Sequence, residues 1–214
     1  MRLTRIKWDV AKIFALVMLL AVPWAPARAQ HESAQAREQV SIKAENPPNH
    51  EAVRWHAQWT IEKRQGDWTP EDIKAGRAPV PYEVYRGADN LLMTNGANSL
   101  WTALTGGSIT AYSNANAYIG VGDSTTTEAA SQTDLQSTDG NKTRVAVSSG
   151  YPSISTNACT FSASFGSSSA NYAWNEWAVF NASSAGTMLD RKVQSMGTKS
   201  SGSTWTFTVT VSLS

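Results

Sequence analysis

Acidic side chains are the first candidates for chemistry in the C-terminal part of this chain. They are Asp123, Glu128, Asp134, Asp139, Glu176 and Asp190. A glycosidase needs two carboxyl groups that converge on one bond, and a calcium loop, for which Asp123 and Glu128 are candidates, needs several oxygen ligands. The spacing of these residues selects neither site, so we expect turn and surface roles for most of them. Glu176 lies between Trp174 and Trp177 in an aromatic segment, where we expect it to cap backbone groups or to bridge subunits.

The three histidines, His31, His50 and His56, all precede residue 90. A histidine relay to a nucleophile within the following segment is therefore excluded, and His50 and His56 lack the i, i+4 spacing of a helical zinc site. The segment 120–123, Gly-Val-Gly-Asp, lacks the third glycine of a dinucleotide-binding loop, and we interpret it as a strand end and a turn. The sequence thus predicts no catalytic residue, no metal ligand and no cofactor.

Cys159 is the only cysteine of the chain. An intramolecular disulfide and a thiolate metal site are therefore excluded. Because Cys159 alternates with Phe161 and Phe165 in an apolar row, we expect a buried, unreactive thiol that belongs to the core.

Nine tryptophans offer ring surfaces on which sugars or single-stranded nucleic acid can stack. Basic residues are missing next to Tyr172, Trp174 and Trp177, which disfavours phosphate contacts and with them nucleic acid as a partner. We prefer to interpret the aromatic residues as packing in the core and at protein interfaces. The candidate interface residues are Trp55, Trp59, Trp174, Glu176 and Trp177.

Charge is sparse in this protein and unevenly distributed along it. The net charge is +1, which provides no overall field to attract nucleic acid or an acidic substrate. Most charged residues precede residue 91, whereas about a third of residues 91–214 are Ser or Thr. A surface with so few charges is unusual for a cytosolic enzyme and suits β structure that packs into assemblies.

Alternation of apolar and polar residues predicts two long strands. The first contains Trp55, Ala57, Trp59 and Ile61, and the last contains Trp205, Phe207, Val209, Val211 and Leu213. Side chains on a strand alternate between its two faces, so the apolar residues of the last strand should point into the core and the intervening Thr and Ser residues outward. We expect this last strand to be a paired, interior strand of its sheet.

Helix is expected at only one place of note. Leu92, Leu100, Trp101 and Leu104 share one helical face, and Asn90 is positioned to cap the first turn, so we expect a helix over 90–104. Residues 68–71 indicate at most one further helical turn. The predicted fold is mainly β: an antiparallel β-sandwich or jelly-roll-like domain with one short helix, preceded by an extended N-terminal arm.

The N-terminal residues follow the order of a secretory signal peptide. A basic start precedes the apolar run 13–21, and Ala27-Arg28-Ala29 then provides an Ala-x-Ala cleavage site. The alternative is a retained arm used in assembly, and the run is short for a membrane span, which needs roughly 20 residues. Contact with a membrane is expected only if this segment acts as a signal or an anchor.

We divide the chain into four segments on this basis. They are 1–29, the signal-like segment or assembly arm; 30–52, a polar linker; 53–89, an extended strand and loop segment; and 90–214, the Ser/Thr-rich β domain. Pro47 and Pro48 break any helix in the linker.

Several motifs in residues 53–214 resemble those of virion proteins of tailed bacteriophages. They include a Gly-x-Gly strand end at 120–122 followed by Thr-rich turns, the segment 132–136, Asn175-Glu176-Trp177 and the segment 189–193. Capsid-decoration, head-fibre and tail-collar proteins are the groups that share such patterns. The resemblance implies a non-catalytic component of a capsid or tail that acts as a symmetric homo-oligomer.

Two functions remain open on the sequence. The first is a structural protein of the phage particle, located in the virion, which binds copies of itself and other virion proteins. The second is a secreted or cell-surface carbohydrate-binding or adhesin-like module, cleaved after Ala29, in which Trp174, Trp177 and Trp205 contact sugars. An enzyme ranks third.

Overall fold

The computed structural model describes residues 53–138 and 140–214, which form ten strands and two helices. The strands are β1 (Trp55–Gln65), β2 (Glu83–Ala88), β3 (Leu91–Leu92), β4 (Tyr118–Gly122), β5 (Lys142–Ala146), β6 (Ser153–Ser155), β7 (Ala158–Phe165), β8 (Ala173–Phe180), β9 (Met188–Thr198) and β10 (Ser203–Leu213). The helices are α1 (Pro70–Lys74) and α2 (Thr94–Leu104).

The strands form two five-stranded antiparallel sheets that pack as a sandwich. The order is β2-β1-β10-β7-β6 in the first sheet and β3-β9-β8-β4-β5 in the second. Apolar side chains from the facing sides of both sheets form one large core cluster. The predicted fold class is therefore confirmed as the sandwich, although the described residues contain two helices where we predicted one.

β10 lies at the centre of the first sheet, between β1 and β7. Trp205, Phe207, Val209 and Val211 are buried, whereas the intervening Thr residues are half-buried on the other face. The predicted inward face is thus confirmed for these four residues. Leu213, at the end of the strand, is 46% exposed, and for that residue the prediction is wrong.

The segment 53–89 belongs to the same sandwich as the rest of the described chain. All eleven residues of β1 pair with β10, and β2 pairs with β1. Gly87 of β2 lies opposite Trp59, and a Cβ at this position would lie 2.1 Å from Cζ2 of the indole. Glycine is needed there because the Trp59 ring crosses directly over the β2 backbone. The boundary that we predicted at residue 90 therefore does not separate two folding units.

The turn predicted at 68–71 is the start of α1. Thr69 is the N-cap: its side chain accepts a hydrogen bond from the Asp72 backbone N–H, and the Asp72 side chain accepts one from the Thr69 N–H. This reciprocal arrangement satisfies donors that a helix start otherwise leaves unpaired. The hydrogen bond from the Thr69 hydroxyl, followed by that from the Arg77 guanidinium, lowers the pKa of the Asp72 carboxyl.

α2 begins later than the sequence predicted, and Asn90 does not cap it. Leu91 and Leu92 form the short strand β3 beside β9, and Met93 occupies the N-cap position without a side-chain hydrogen bond. The Asn90 side chain instead accepts from Trp55 Nε1 at 2.9 Å and donates to Asp190 at 2.6 Å. A helix pattern alone could not reveal these tertiary partners.

The predicted signal-like segment or arm, 1–29, and the linker, 30–52, lie outside the described residues. Within the part that the structure describes, no helix combines the length and apolar character needed to cross a membrane.

Candidate functional site

The structure buries four of the five predicted interface residues. Trp59, Trp174, Glu176 and Trp177 have between 0% and 2% of their surface exposed. They cannot contact a partner from the surface of the folded chain, so the interface prediction is wrong for them. Trp55 is half-buried at the edge of the core, where its indole N–H is bonded to Asn90.

The buried tryptophans belong to an aromatic cluster between the two sheets. Trp59 stacks on Phe207, with ring centroids 5.8 Å apart, and meets Trp177 edge-on at 6.1 Å. Trp174 meets Trp205 edge-on at 4.8 Å. Such ring geometries stabilise a core beyond the burial of apolar area. A sugar platform built from Trp174, Trp177 and Trp205 is therefore also ruled out, because all three rings are inside the sandwich.

Glu176 is fully buried on the outer side of the second sheet, where a loop covers it. Its carboxylate accepts hydrogen bonds from the backbone N–H groups of Gln136 and Ser137, at 3.0 and 2.8 Å, and from the Ser137 hydroxyl at 2.7 Å. The expectation that Glu176 caps backbone groups is confirmed. Its role is to hold the loop between β4 and β5 against the sheet.

Arg191 is the counterion of Glu176, and it is equally buried. Its Nε donates to Glu176 Oε2 at 2.8 Å, and its Nη2 lies 2.7 Å from the same oxygen. Nη1 donates to the Gln132 side-chain oxygen at 2.8 Å, and Nη2 also donates to the Thr126 carbonyl at 2.9 Å. Every charged group is thereby paired inside a low-dielectric region, which is the condition for burying ions.

Two glycines explain how the loop approaches the sheet so closely. A Cβ on Gly122 would lie 2.3 Å from the Ser137 hydroxyl and 2.5 Å from a Glu176 carboxylate oxygen. A Cβ on Gly120 would lie 3.1 Å from Cδ1 of Leu135 in the loop and 2.8 Å from the Phe180 ring of β8. The separate sequence motifs at 120–122, 132–136, 175–177 and 189–193 therefore meet at this one buried cluster, and their spacing serves the fold.

Asp190 is buried at one end of the sandwich, on the opposite side of β9 from Arg191. Its carboxyl group accepts from the Val179 N–H at 3.2 Å, next to a bulge in β8, and from the Asn90 amide. Since Asn90 also holds Trp55, Asp190 links the two sheets. Burial raises the pKa of Asp190 to about 7, against the opposing effect of these two hydrogen bonds.

We expect Asp190 to make the stability of the protein fall as the pH rises towards and through 7. The folded protein keeps this proton up to about pH 7, whereas the unfolded chain loses it near 3.8. The folded state therefore binds more protons between these values, and the free energy of unfolding decreases with rising pH. The asparagine of Asp190→Asn cannot titrate. The free energy of unfolding of this variant should therefore fall less steeply with pH, by up to about 1.4 kcal/mol per pH unit.

Urea denaturation of both proteins at intervals from about pH 5 to about pH 8 measures these slopes. Comparing slopes rather than absolute stabilities removes the cost of the substitution itself. Parallel slopes for the two proteins would contradict the role of Asp190.

Two further candidates for chemistry, Cys159 and His56, lie within the described residues. Cys159 is half-buried against the core, and burial raises the pKa of its thiol, which disfavours the nucleophilic thiolate. His56 lies 2.9 Å from the Ser214 hydroxyl, and His31 and His50 lie outside the described residues. Within 53–138 and 140–214, no group of three or more His, Cys, Asp or Glu side chains is arranged to hold a metal ion.

The first exposed feature that could contact a partner is the outer side of α2. The helix packs on β9 through its small residues: a Cβ on Gly96 would lie 2.2 Å from the Leu189 carbonyl oxygen, and Ser99 is buried beside it. The large residues of the helix face solvent instead, with Leu100 42%, Trp101 66% and Leu104 75% exposed. We call these three residues the α2 apolar surface.

The second exposed feature is a groove on the outer face of the first sheet. Hydroxyl side chains of β1, β7 and β10 form its floor, and α1 and the loop 148–153 form its sides. Its volume is about 780 Å³. Sequence reasoning missed this site, because alternation places Thr and Ser on the outer face without showing that neighbouring strands align them.

No protein-family model, curated protein or solved structure matches this chain. The α2 apolar surface and the groove are the two exposed features described for this chain. The first is an exposed apolar surface, and the second is a concave surface with a floor of hydroxyl side chains.

Proposed function

We propose that this chain is a non-enzymatic structural component of a tailed-phage particle that acts by protein–protein binding. The α2 apolar surface is the observation that carries the proposal. The motif resemblance to capsid-decoration, head-fibre and tail-collar proteins supports the location in the virion. The partners are further copies of the chain and other virion proteins.

The α2 apolar surface has the composition of the centre of a protein interface. Interface centres are depleted in charge and enriched in aromatic residues, and buried tryptophans commonly contribute most of the binding energy. α2 itself carries no charged residue, and none occurs between Asp89 and Asp123. Contiguous apolar surface of this kind is costly to leave in water.

The same absence of charge favours a second copy of this chain as the occupant. In a twofold-symmetric contact each residue near the axis meets its own equivalent, so any charge there would face a like charge. A neutral helix avoids this repulsion, and Trp101 can pack against the α2 apolar surface of the neighbouring copy. This contact would produce the symmetric oligomer that the motif resemblance implies.

A non-enzymatic role agrees with the use that the fold makes of its acidic residues. Glu176 is neutralised by Arg191 and surrounded by donors, and Asp190 links the sheets. Asp134 pairs with Lys142 and Arg144, which lower the pKa of its carboxyl against the effect of burial. These groups are occupied in holding loops and sheets together.

We expect Trp101→Ser to weaken self-association by about tenfold or more, as loss of a central aromatic contact does. The matched control is Ile154→Ser, since Ile154 is 81% exposed on the edge strand β6 of the other sheet. Sedimentation analysis of the wild type and both variants measures the dissociation constants. Quantitative mass spectrometry of purified particles that were assembled with each protein measures incorporation.

The wild type and Ile154→Ser should enter particles equally, and Trp101→Ser should be depleted. Equal incorporation and equal self-association of all three proteins would overturn the role of α2. Absence of wild-type peptides from particles would overturn the assignment to the virion. Peptides from before Gln30 in the same digests would identify the N-terminal segment as a retained arm, and a uniform start at Gln30 would identify it as a cleaved signal.

A further inference from the structure

We infer that the groove on the outer face of the first sheet binds a neutral glycan. The groove is formed by residues that the proposed oligomer contact does not use. It lies on the sheet of β1, β7 and β10, whereas α2 packs on β9 of the other sheet. The inference is therefore independent of the proposed function.

The floor of the groove is an ordered grid of hydrogen-bonding side chains. Strand register aligns two rows across β1, β10 and β7, which are Thr60, Thr208 and Ser162, and then Glu62, Thr206 and Ser164. Adjacent strands are roughly 4.8 Å apart, so each row presents a polar group at every strand. A ligand with regularly spaced hydroxyls can address several of these positions at once.

The floor hydroxyls of Ser164, Thr206 and Thr208 are half-buried and retain capacity for a ligand, whereas Ser162 is only 4% exposed. Ser162 and Thr208 share one hydrogen bond of 2.8 Å, and Ser164 and Thr206 share one of 3.1 Å. A hydroxyl group has one donor and two acceptor positions, so each pair keeps a donor and several acceptors after its mutual bond. Sugar hydroxyls have the same dual character and match such a floor.

The sides of the groove are held in place without a ligand. α1 is fixed by its capping box and by a bond from the Trp68 N–H to the Thr204 hydroxyl at 3.0 Å. On the other side, the Asn114 amide donates to the carbonyls of Ser148 and Tyr151 at 3.0 and 2.7 Å. A preformed site avoids the entropic cost of ordering its walls on binding. The volume of about 780 Å³ lies within the usual range of roughly 300 to 1,000 Å³ for ligand sites.

The charges that line the groove point to a neutral ligand. The two carboxylates of the lining, Glu62 and Glu71, balance the charge of its two cations, Lys74 and Arg86. The lining therefore has no excess of positive charge that would attract a polyanion such as nucleic acid. Carboxylate and guanidinium groups can still accept from and donate to sugar hydroxyls. Ile73 and Tyr151 supply apolar surface on opposite sides, against which the C–H face of a sugar ring can pack.

The test uses purified full-length protein on a printed array of neutral and anionic glycans, followed by titration calorimetry with the neutral oligosaccharide that binds best. Thr208→Val removes one floor hydroxyl while preserving shape and strand preference. Thr210→Val is the matched control, since Thr210 lies on the same strand and shares the same type of bond, with Thr160 at 2.8 Å, but does not line the groove. Arg86→Ala tests whether the Arg86 guanidinium, which lines the groove, contributes to glycan binding.

We expect saturable binding of a neutral glycan, weakened about threefold to tenfold by Thr208→Val and at least as much by Arg86→Ala. Thr210→Val and Trp101→Ser should bind like the wild type. The inference is overturned if no neutral glycan binds, if only anionic glycans bind, or if Thr208→Val and Thr210→Val have equal effects. Loss of self-association in Trp101→Ser with unchanged glycan binding would separate this site from the proposed function.

Discussion

Replacing Phe207 with alanine should lower the free energy of unfolding by about 3 to 5 kcal/mol. Phe207 is fully buried on the central strand β10, and its ring contacts Trp59 and Trp177 at centroid distances of 5.8 and 5.3 Å. Truncation removes apolar contacts from both sheets at once and leaves a cavity that large, rigid rings cannot easily collapse to fill. Such a loss is a large share of the stability of a typical domain.

Thr208→Ala is the control for this substitution, because it changes the next residue of the same strand. The Thr208 side chain faces the groove. The substitution therefore removes one hydroxyl–hydroxyl bond to Ser162 and leaves no cavity in the core. Urea denaturation should therefore show a cost of at most about 1 kcal/mol for Thr208→Ala. Comparable losses for the two variants would show that the aromatic cluster does not dominate the stability of the sandwich.

Replacing Arg191 with methionine should lower the free energy of unfolding by about 3 to 5 kcal/mol. Methionine approximates the length of the arginine stem, so the main change is the loss of the guanidinium group. Glu176 would then be buried without its counterion, and Gln132 and the Thr126 carbonyl would lose their donors. The loop between β4 and β5 should consequently become more accessible to proteases.

Arg77→Met provides the matched comparison at an exposed ion pair. Arg77 lies 2.6 Å from Asp72, but its side chain is 60% exposed, whereas those of Arg191 and Glu176 are 0% exposed. Exposed pairs contribute about 0 to 1 kcal/mol, so the two arginine variants should differ severalfold in urea denaturation. Equal losses of stability in Arg77→Met and Arg191→Met would show that burial does not increase the contribution of the Arg191–Glu176 pair.

Periodicity in the sequence predicted the parts of the fold that depend on neighbours along the chain. The alternation in β1 and β10 placed Trp59, Phe207 and Val209 on the buried face. The turn at Thr69 was predicted by a local capping pattern. These features depend on residues only a few positions apart, and their geometry is fixed by the backbone of a single element.

The candidate interface was predicted less well, and the reason is physical. A tryptophan that is next to an acidic residue in the sequence can lie on the surface or in the core. Whether it is buried depends on which strands and loops pack over it. Glu176 is buried because the loop between β4 and β5 folds back over β8, and Arg191 lies where it can neutralise the carboxylate. A period of two gives the face of a residue but does not identify what packs on that face.

The alternation of residue types was enough to predict a mainly β chain and the inward and outward faces of its first and last strands. Tertiary structure alone decided which surfaces remain exposed. α2 approaches β9 through Gly96, so its small side is buried and Trp101 faces solvent. Likewise, pairing of β1, β10 and β7 aligned hydroxyls far apart in sequence into the groove floor. Both outcomes depend on long-range packing, because the close approach of two backbones and the register of distant strands are properties of pairs of elements.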